Sequence, residues 1–348
     1  MSADTFHGWA VHSKDEPMKW TELPLKEFDA DAVEMKVTHC GICGSDIHTM
    51  DSGWGPTPYP CVTGHEITGT ITRVGENVKK FKVGDRAGVG AQSGSCLDCE
   101  DCKRGDEHLC SKRVGTYASF WPNGDKSFGG YADKWRGHQH FVFKIPETMT
   151  NETAATFFCA GVTTYSPLKR HNVTKGSRVG VKGIGGLGHF AVMWAKAMGA
   201  EVTALSTSDR KREDAKNLGC SDYVVLSDKE GMKSRFDTFT HIIDCSYAER
   251  NNFTEIFSLL RNNGTYIVVG IPEQPLDGIP AMLIAAKQIT FVGSFIGSPA
   301  AIEDMLKFAD EHKVRPWLNK WKMSDAPAAV KAFREGKPRY RFVLENDQ

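Results

Sequence analysis

The sequence predicts an α/β fold built on a doubly wound parallel sheet. Two observations carry that expectation: a glycine-rich turn set between a short apolar strand and an amphipathic helix, and a run of further apolar strands alternating with helices. Length bounds the number of domains. At 348 residues the chain is about two ordinary domains long, so each half can bury a core without disulfide staples.

The glycine turn lies in "SRVGVKGIGGLGHFAVMWAKAMGAEVTALSTSDRKRED", residues 177–214. Its apolar "VGV" is short and β-branched, which suits a strand buried on both faces. Leu187, Ala191, Trp194 and Met198 then recur at helical spacing, and Gly199 fits the stop. Between strand and helix stand Gly183, Gly185 and Gly188, with Gly186 in addition and Ile184 and Leu187 completing the turn. Glycines so placed allow a tight turn, close approach to a pyrophosphate and close helix–strand packing, while the helix start favours negative charge. A GxGxxG alone is weak; between a strand and an amphipathic helix it predicts a dinucleotide site.

The end of the next strand selects the dinucleotide. An acid there would bind a ribose 2′-hydroxyl, but the residues are Ser206, Thr207 and Ser208, followed by Asp209, Arg210 and Lys211. Three hydroxyls can donate to a 2′-phosphate and Lys211 can neutralise it, so NADP is expected over NAD. Asp209 is the contrary signal, read as an acid in the first turn of the following helix. Further strands are expected at "DYVVL", "THIIDCS", "TYIVVG" and "ITFVGSFIG", interleaved with helices such as 249–262.

Charge and cysteine usage exclude other classes. Lys+Arg and Asp+Glu both number 43, so the formal net charge is zero, which argues against a nucleic-acid or anionic-membrane partner. The short basic stretches "RPWLNKW" and "REGKPRYRF" read as solvated faces. The start, "MSADTFHGWA", has no basic segment leading into an apolar run, and no apolar stretch is long enough to span a bilayer. A cytoplasmic location is therefore expected, and a reducing compartment makes structural disulfides unexpected. The ten cysteines then divide into metal ligands, reactive thiols and inert ones. Cys40, Cys61, Cys220 and Cys245 have no patterned partners and are expected to be small buried hydrophobes.

Residues 94–110, "GSCLDCEDCKRGDEHLC", place thiols at Cys96, Cys99, Cys102 and Cys110. A C-x2-C step lets two thiolates from one tight turn meet the same ion, and the longer gap lets the chain swing back to supply a fourth corner. A bacterial ferredoxin run also begins with three such thiols but continues C-x3-C-P. Here seven residues intervene and Ser111 follows Cys110, so a closed, structural zinc site is expected.

Upstream, "HCGICGSDIHTMDSGWGPTPYPCVTGHEITG" offers Cys43 and the pair His65–Glu66, and "FFCAGVTTYSPL" offers Cys159. Ligands scattered this far apart are the usual arrangement in a catalytic site. Two thiolates and one imidazole leave the fourth position of zinc open.

Taken in this order, "CGICGSDIH", "GHE", the four-cysteine loop and "CAGVTTYSPL" resemble the zinc-containing medium-chain alcohol dehydrogenases. Within them the chain is most similar to the cinnamyl alcohol dehydrogenase branch, including fungal NADP-dependent enzymes of broad aldehyde range. The similarity runs from about residue 30 to the final "RYRFVL".

The resemblance implies a mainly β, GroES-like catalytic domain made of 1–159 and 298–348, with an NADP-binding Rossmann domain at 160–297. It implies a catalytic zinc held by Cys43, His65 and Cys159, with Glu66 beside it and able to replace water as a ligand. Ser45 would take the alcohol proton and His48 would pass it to solvent, while Asp46 would orient His65. Thr163, Ser294, Phe295 and Ile296 would border the nicotinamide, and Arg341 would lie near phosphate or Glu66. Trp54, Phe295 and Ile296 would give an apolar pocket suited to aromatic or medium-chain aldehydes. The family's last sheet strand continues across a homodimer. The lignin enzymes carry a further pocket tryptophan where this chain has Gly115, so cinnamyl specificity itself does not follow.

The rivals are disfavoured by the same residues. A zinc-free quinone or enoyl reductase of the superfamily would lack the ligands and the thiol loop. A non-catalytic zinc-binding regulator would have no need of Ser45 and His48.

Overall fold

The computed structural model describes residues 4–246 and 252–348. Contacts divide the chain into two compact units: Met1–Val162 with Ile296–Gln348, and Thr163–Phe295.

The unit Thr163–Phe295 is built on six strands: Arg178–Lys182, Glu201–Ser206, Asp222–Val225, Phe239–Asp244, Leu260–Val268 and Thr290–Gly293. All pair in parallel. In spatial order the third comes first, then second, first, fourth, fifth and sixth. The order therefore reverses between Arg178–Lys182 and Phe239–Asp244, the place where a doubly wound sheet binds its ligand. Val179, Val181, Ile242 and Ile243 are fully buried, as strands covered on both faces require.

Helix Gly188–Ala197 buries Phe190, Ala191, Val192, Trp194 and Ala195. The Trp194 ring meets Tyr165 edge-on at 5.2 Å and stacks with Phe190 at 5.9 Å. Cutting so large a buried ring to alanine costs about 3–5 kcal/mol. The expected doubly wound sheet is thus present, strand by strand.

Two local expectations differ. The helix expected over 249–262 is Phe253–Ser258, capped by the Asn252 side chain. Its first three positions fall on 249–251, outside the described residues, and Leu260 already begins the next strand, which pairs Phe239 with Leu260. Cys220 is half-buried rather than buried, since it sits in the turn just past the helix Arg212–Leu218; Cys40, Cys61 and Cys245 are buried as expected.

The other unit is mainly β. Its larger sheet runs Val142–Lys144, Arg86–Val89, Glu66–Val74, Ala32–Ile42, Arg341–Glu345 and Leu318–Lys322, with Lys134–His138 also paired to Ala32–Ile42. A three-stranded sheet of Lys19–Pro24, Thr5–Val11 and Cys61–Val62 shares one core with it. That core is set by alternation: in Ala32–Ile42, Val33, Met35 and Val37 point inward and Lys36 outward. Among the described residues no helix is long and apolar enough to cross a membrane.

Candidate functional site

Among the described residues, two groups of side chains bring metal-binding atoms together: Cys43, His65 and Cys159, and Cys96, Cys99, Cys102 and Cys110. Within each group the ligand atoms lie within 4.8 Å of one another.

In the four-thiol group the sulfurs of Cys99 and Cys102 are 3.6 Å apart, those of Cys96 and Cys110 3.5 Å, and those of Cys96 and Cys102 3.9 Å. A tetrahedron with zinc–sulfur bonds of about 2.3 Å sets its corners about 3.8 Å apart, so the spacing fits zinc and excludes a disulfide. Backbone amides at Asp98 and Cys99 pull the Cys96 thiol down to about 6. Burial pushes Cys102 up to about 12. A divalent ion would settle that contrast, because a coordinating thiol is deprotonated outright.

The three-residue group is assembled from distant chain segments. Cys43 follows the strand Ala32–Ile42 and is the N-cap of helix Gly44–Met50. His65 immediately precedes the strand Glu66–Val74. Cys159 precedes helix Ala160–Arg170, whose first amide donates to Glu66 Oε1 at 3.1 Å. All three are buried, and the two sulfurs are 3.9 Å apart. His65 Nε2 is buried without an oxygen or nitrogen partner. A buried ring nitrogen is rarely left so, and a metal ion held with the two thiols would satisfy it.

Local chemistry holds these ligands in place. Asp46, fully buried, accepts from Cys43 N at 2.8 Å, Gly64 N at 3.0 Å and the Tyr131 hydroxyl at 2.8 Å. Its Oδ1 faces His65 Nδ1 at 3.9 Å, beyond hydrogen-bond reach. Asp46 therefore fixes the backbone of the two ligand segments and acts on the imidazole through charge. On its other side His65 stacks on Tyr117, ring centroids 5.2 Å apart.

Glu66 sits opposite Gly41 across the sheet. A side chain on Gly41 would come within 2.0 Å of Glu66 Oε2, so only glycine leaves room for this carboxylate. Burial pushes Glu66 up to about 7 against the opposing pull of Arg341. Of the two placements expected for Arg341, the one on Glu66 is observed.

Ser45 Oγ lies 3.7 Å from Cys43 Sγ, on the rim of the ligand set. His48, on the same helix, stacks against Trp54 at 4.6 Å with 20° between the planes. Trp54 is 43 % exposed. Ile296 lines a small apolar hollow with Phe143, Phe158 and Val162. Gly115 is closed in by Ser119 and Tyr117 O.

In the doubly wound unit the glycine turn is tight on one side and open on the other. A side chain on Gly188 would stand 1.9 Å from Gly183 O, while one on Gly185 would meet nothing within 4 Å. The first glycine permits close packing, and the second leaves its approach open. Lys211 Nζ donates to Ile184 O of the turn. Asp209 lies in the first turn of the short helix Asp209–Lys211, as the first-turn reading expected, and pairs with Arg212 at 2.7 Å. Ser206 ends its strand, Thr207 is exposed, and Ser208 precedes the short helix Asp209–Lys211. Thr163 Oγ1 is buried without a partner. Ser294 donates its amide to Val268 O at 3.0 Å, and Phe295 is 39 % exposed.

Tyr131 and Tyr117 were not legible as site residues, since an aromatic in "GGYADKW" or "GTYASF" carries no spacing signal. Lys182 was legible in principle: a lysine directly after the apolar run "VGV" is a visible exception.

Residues 29–147 match the alcohol dehydrogenase GroES-like domain, and 186–311 match the zinc-binding dehydrogenase domain. The chain is 42 % identical over 331 residues to a mannitol dehydrogenase of Petroselinum crispum, covering 94 % of this chain and 97 % of that protein. Its fold is similar to that of a cinnamyl alcohol dehydrogenase from Sorghum bicolor, with a TM-score of 0.95, 37 % identity and 98 % of each chain covered. A CAD from Helicobacter pylori, solved in complex with NADP(H), gives 0.91 and 33 %, again with 98 % of each chain covered.

Proposed function

Since the chain belongs to the zinc-containing medium-chain alcohol dehydrogenases, in their cinnamyl alcohol dehydrogenase branch, we propose that it interconverts aldehydes and alcohols with NADP(H) as hydride carrier. The observation that carries the reading is the buried convergence of Cys43, His65 and Cys159, with an unsatisfied imidazole nitrogen in their midst.

Cys43, His65 and Cys159 would hold the catalytic zinc, and Cys96, Cys99, Cys102 and Cys110 a second, structural one. When bound, the catalytic ion supplies Lewis acidity, polarising a carbonyl or lowering the pKa of an alcohol. The remaining roles belong to side chains of this protein. Ser45 exchanges the hydroxyl proton of the substrate, and His48 carries it toward solvent. Trp54 holds the His48 ring by stacking and offers an apolar wall to substrate. Asp46 keeps the Cys43 and His65 segments in register through backbone amides. Glu66, held by Arg341, is the reserve ligand.

Gly183–Gly188 would cradle the pyrophosphate. Ser206, Thr207, Ser208 and Lys211 would bind the 2′-phosphate, with Thr163, Ser294, Phe295 and Ile296 toward the nicotinamide. The substrate class that fits best is aromatic or medium-chain aldehydes. The outer edge of strand Thr290–Gly293, which has no strand partner among the described residues and lies at the end of the sheet, together with a helix Ala281–Lys287 that buries none of its residues, supports a homodimer joined sheet to sheet.

The test follows NADPH absorbance with benzaldehyde, and the reverse reaction with NADP and benzyl alcohol. Turnover that a chelator abolishes and zinc restores supports the reading. No turnover of any aldehyde by fully zinc-loaded protein would sink it.

A further inference from the structure

Lys182 and Asp244 form a buried ion pair that the reaction proposed above does not use. Lys182 ends the strand Arg178–Lys182, Asp244 ends Phe239–Asp244, and they are register partners where the strand order reverses. Each is 4 % exposed. Lys182 Nζ donates to both Asp244 oxygens at 3.1 Å and to Ser246 Oγ at 2.6 Å. Ser246 donates to Asp244 Oδ1 through its amide at 3.0 Å and its hydroxyl at 2.7 Å, and the Tyr266 hydroxyl donates to Oδ2 at 2.6 Å.

This network is wedged against the glycine turn. A side chain on Gly183 would begin 3.0 Å from Ser246 Cβ, and one on Gly270 would lie 2.2 Å from Ser246 O. Asp244 O accepts from Val269 N and Gly270 N, each at 3.1 Å. The ends of three neighbouring strands are thereby locked together at the crevice. Burying an ion pair seldom stabilises more than an apolar pair of similar volume would. Its gain is geometric: a fully satisfied polar network admits one arrangement.

We propose that Lys182 and Asp244 are positioning residues for the dinucleotide. The pair fixes Ser246 against Gly183 and leaves the floor of the crevice without net charge beneath an anionic ligand. Without Lys182, the Asp244 carboxylate would stand uncompensated near the pyrophosphate. Lys211 serves the 2′-phosphate, whereas this pair serves the part that NADPH and NADH share. The inference rests on the dinucleotide reading of Gly183–Gly188.

Purified zinc-loaded protein is titrated with NADPH, and separately with NADH, without aldehyde, by quenching of tryptophan fluorescence. Lys182→Met should weaken both nucleotides by a common factor of about ten or more, the loss expected when a buried charge is left alone. Lys182→Met combined with Asp244→Asn should recover to within about threefold of wild type, since the charge is removed while the volume change stays. Wild-type affinity in the single variant overturns the proposal, and so does equal weakening in single and double variants. If Lys182→Met does not fold, Ser246→Ala keeps both charges and takes its place. A loss of about threefold for both nucleotides, the value of one hydrogen bond, supports the proposal, and an unchanged affinity overturns it. Failure of the wild-type protein to bind either nucleotide would instead strike the cofactor reading beneath it.

Discussion

Arg341 places its guanidinium on the Glu66 carboxylate: Nη2 donates to Oε1 across 2.6 Å, with the arginine 2 % and the glutamate 0 % exposed. The strand Arg341–Glu345 pairs with Ala32–Ile42, so the last strand of the chain brings this cation to Glu66, next to His65. Ala160 N donates to the same oxygen, which ties Glu66 to the residue after Cys159. Removing the cation leaves a buried carboxylate unpaired. Arg341→Ala is therefore expected to lose about 3–5 kcal/mol of stability, read from denaturant unfolding. Arg341→Lys should recover only part, because an ammonium lacks the planar fork. A wild-type unfolding curve for Arg341→Ala would show that the pair contributes nothing.

The two sulfur sets predict two zinc ions per chain. Elemental analysis of well-washed protein should return that ratio. One zinc or none with full activity would contradict the assignment of the open or the closed set.

Substitution separates the two sets. Cys159→Ser removes one donor from the open site and should abolish turnover in a folded protein. Cys102→Ser should lower thermal stability, because metal-binding free energy in a closed site is folding free energy. Thermal melts of both variants decide the matter. A Cys102→Ser protein that melts like wild type would overturn the structural role of the loop.

How much of this was readable from residues alone depended on the period or spacing behind each signal. The parallel sheet was readable because "VGV", "THIID" and "TYIVV" are β-branched runs bounded by turns. The four-thiol loop was readable because thiols at fixed spacing are rare and their chemistry is narrow, whereas the scattered Cys43, His65 and Cys159 were readable as a set only through the family resemblance. Tyr131 was not readable, because its role depends on reaching Asp46 from 85 residues away. The distance from Asp46 to His65 was equally hidden: the family resemblance implied a carboxylate near the imidazole but could not say that backbone amides would claim its oxygens first. The early end of the expected 249–262 helix reflects competition with a strand that begins at Leu260.

The proton path is tested at Ser45. Ser45→Ala should lower kcat by about 10²–10⁴, the usual contribution of a positioned acid–base group, with zinc content unchanged. Ser45→Thr keeps the hydroxyl and should retain most of the activity. If alanine and threonine variants are equally impaired, steric change near Cys43 rather than loss of the hydroxyl explains the effect.

Cofactor choice is the remaining prediction, and the structure bears on the one residue that spoke against it. Asp209 would repel a 2′-phosphate if it faced the ribose, but its carboxylate is held by Arg212 at 2.7 Å and is 66 % exposed. Lys211 reaches the glycine turn through Ile184 O, so its charge stands at the crevice. A charge-assisted contact to phosphate contributes about 1.5–3 kcal/mol, so kcat/KM with NADPH should exceed that with NADH by at least about tenfold. Lys211→Ala should shrink the gap by weakening NADPH while leaving NADH nearly unchanged, the opposite of the common weakening expected for Lys182→Met. Equal use of both cofactors by the wild-type enzyme would mean that Asp209 swings from Arg212 to the ribose when the nucleotide binds.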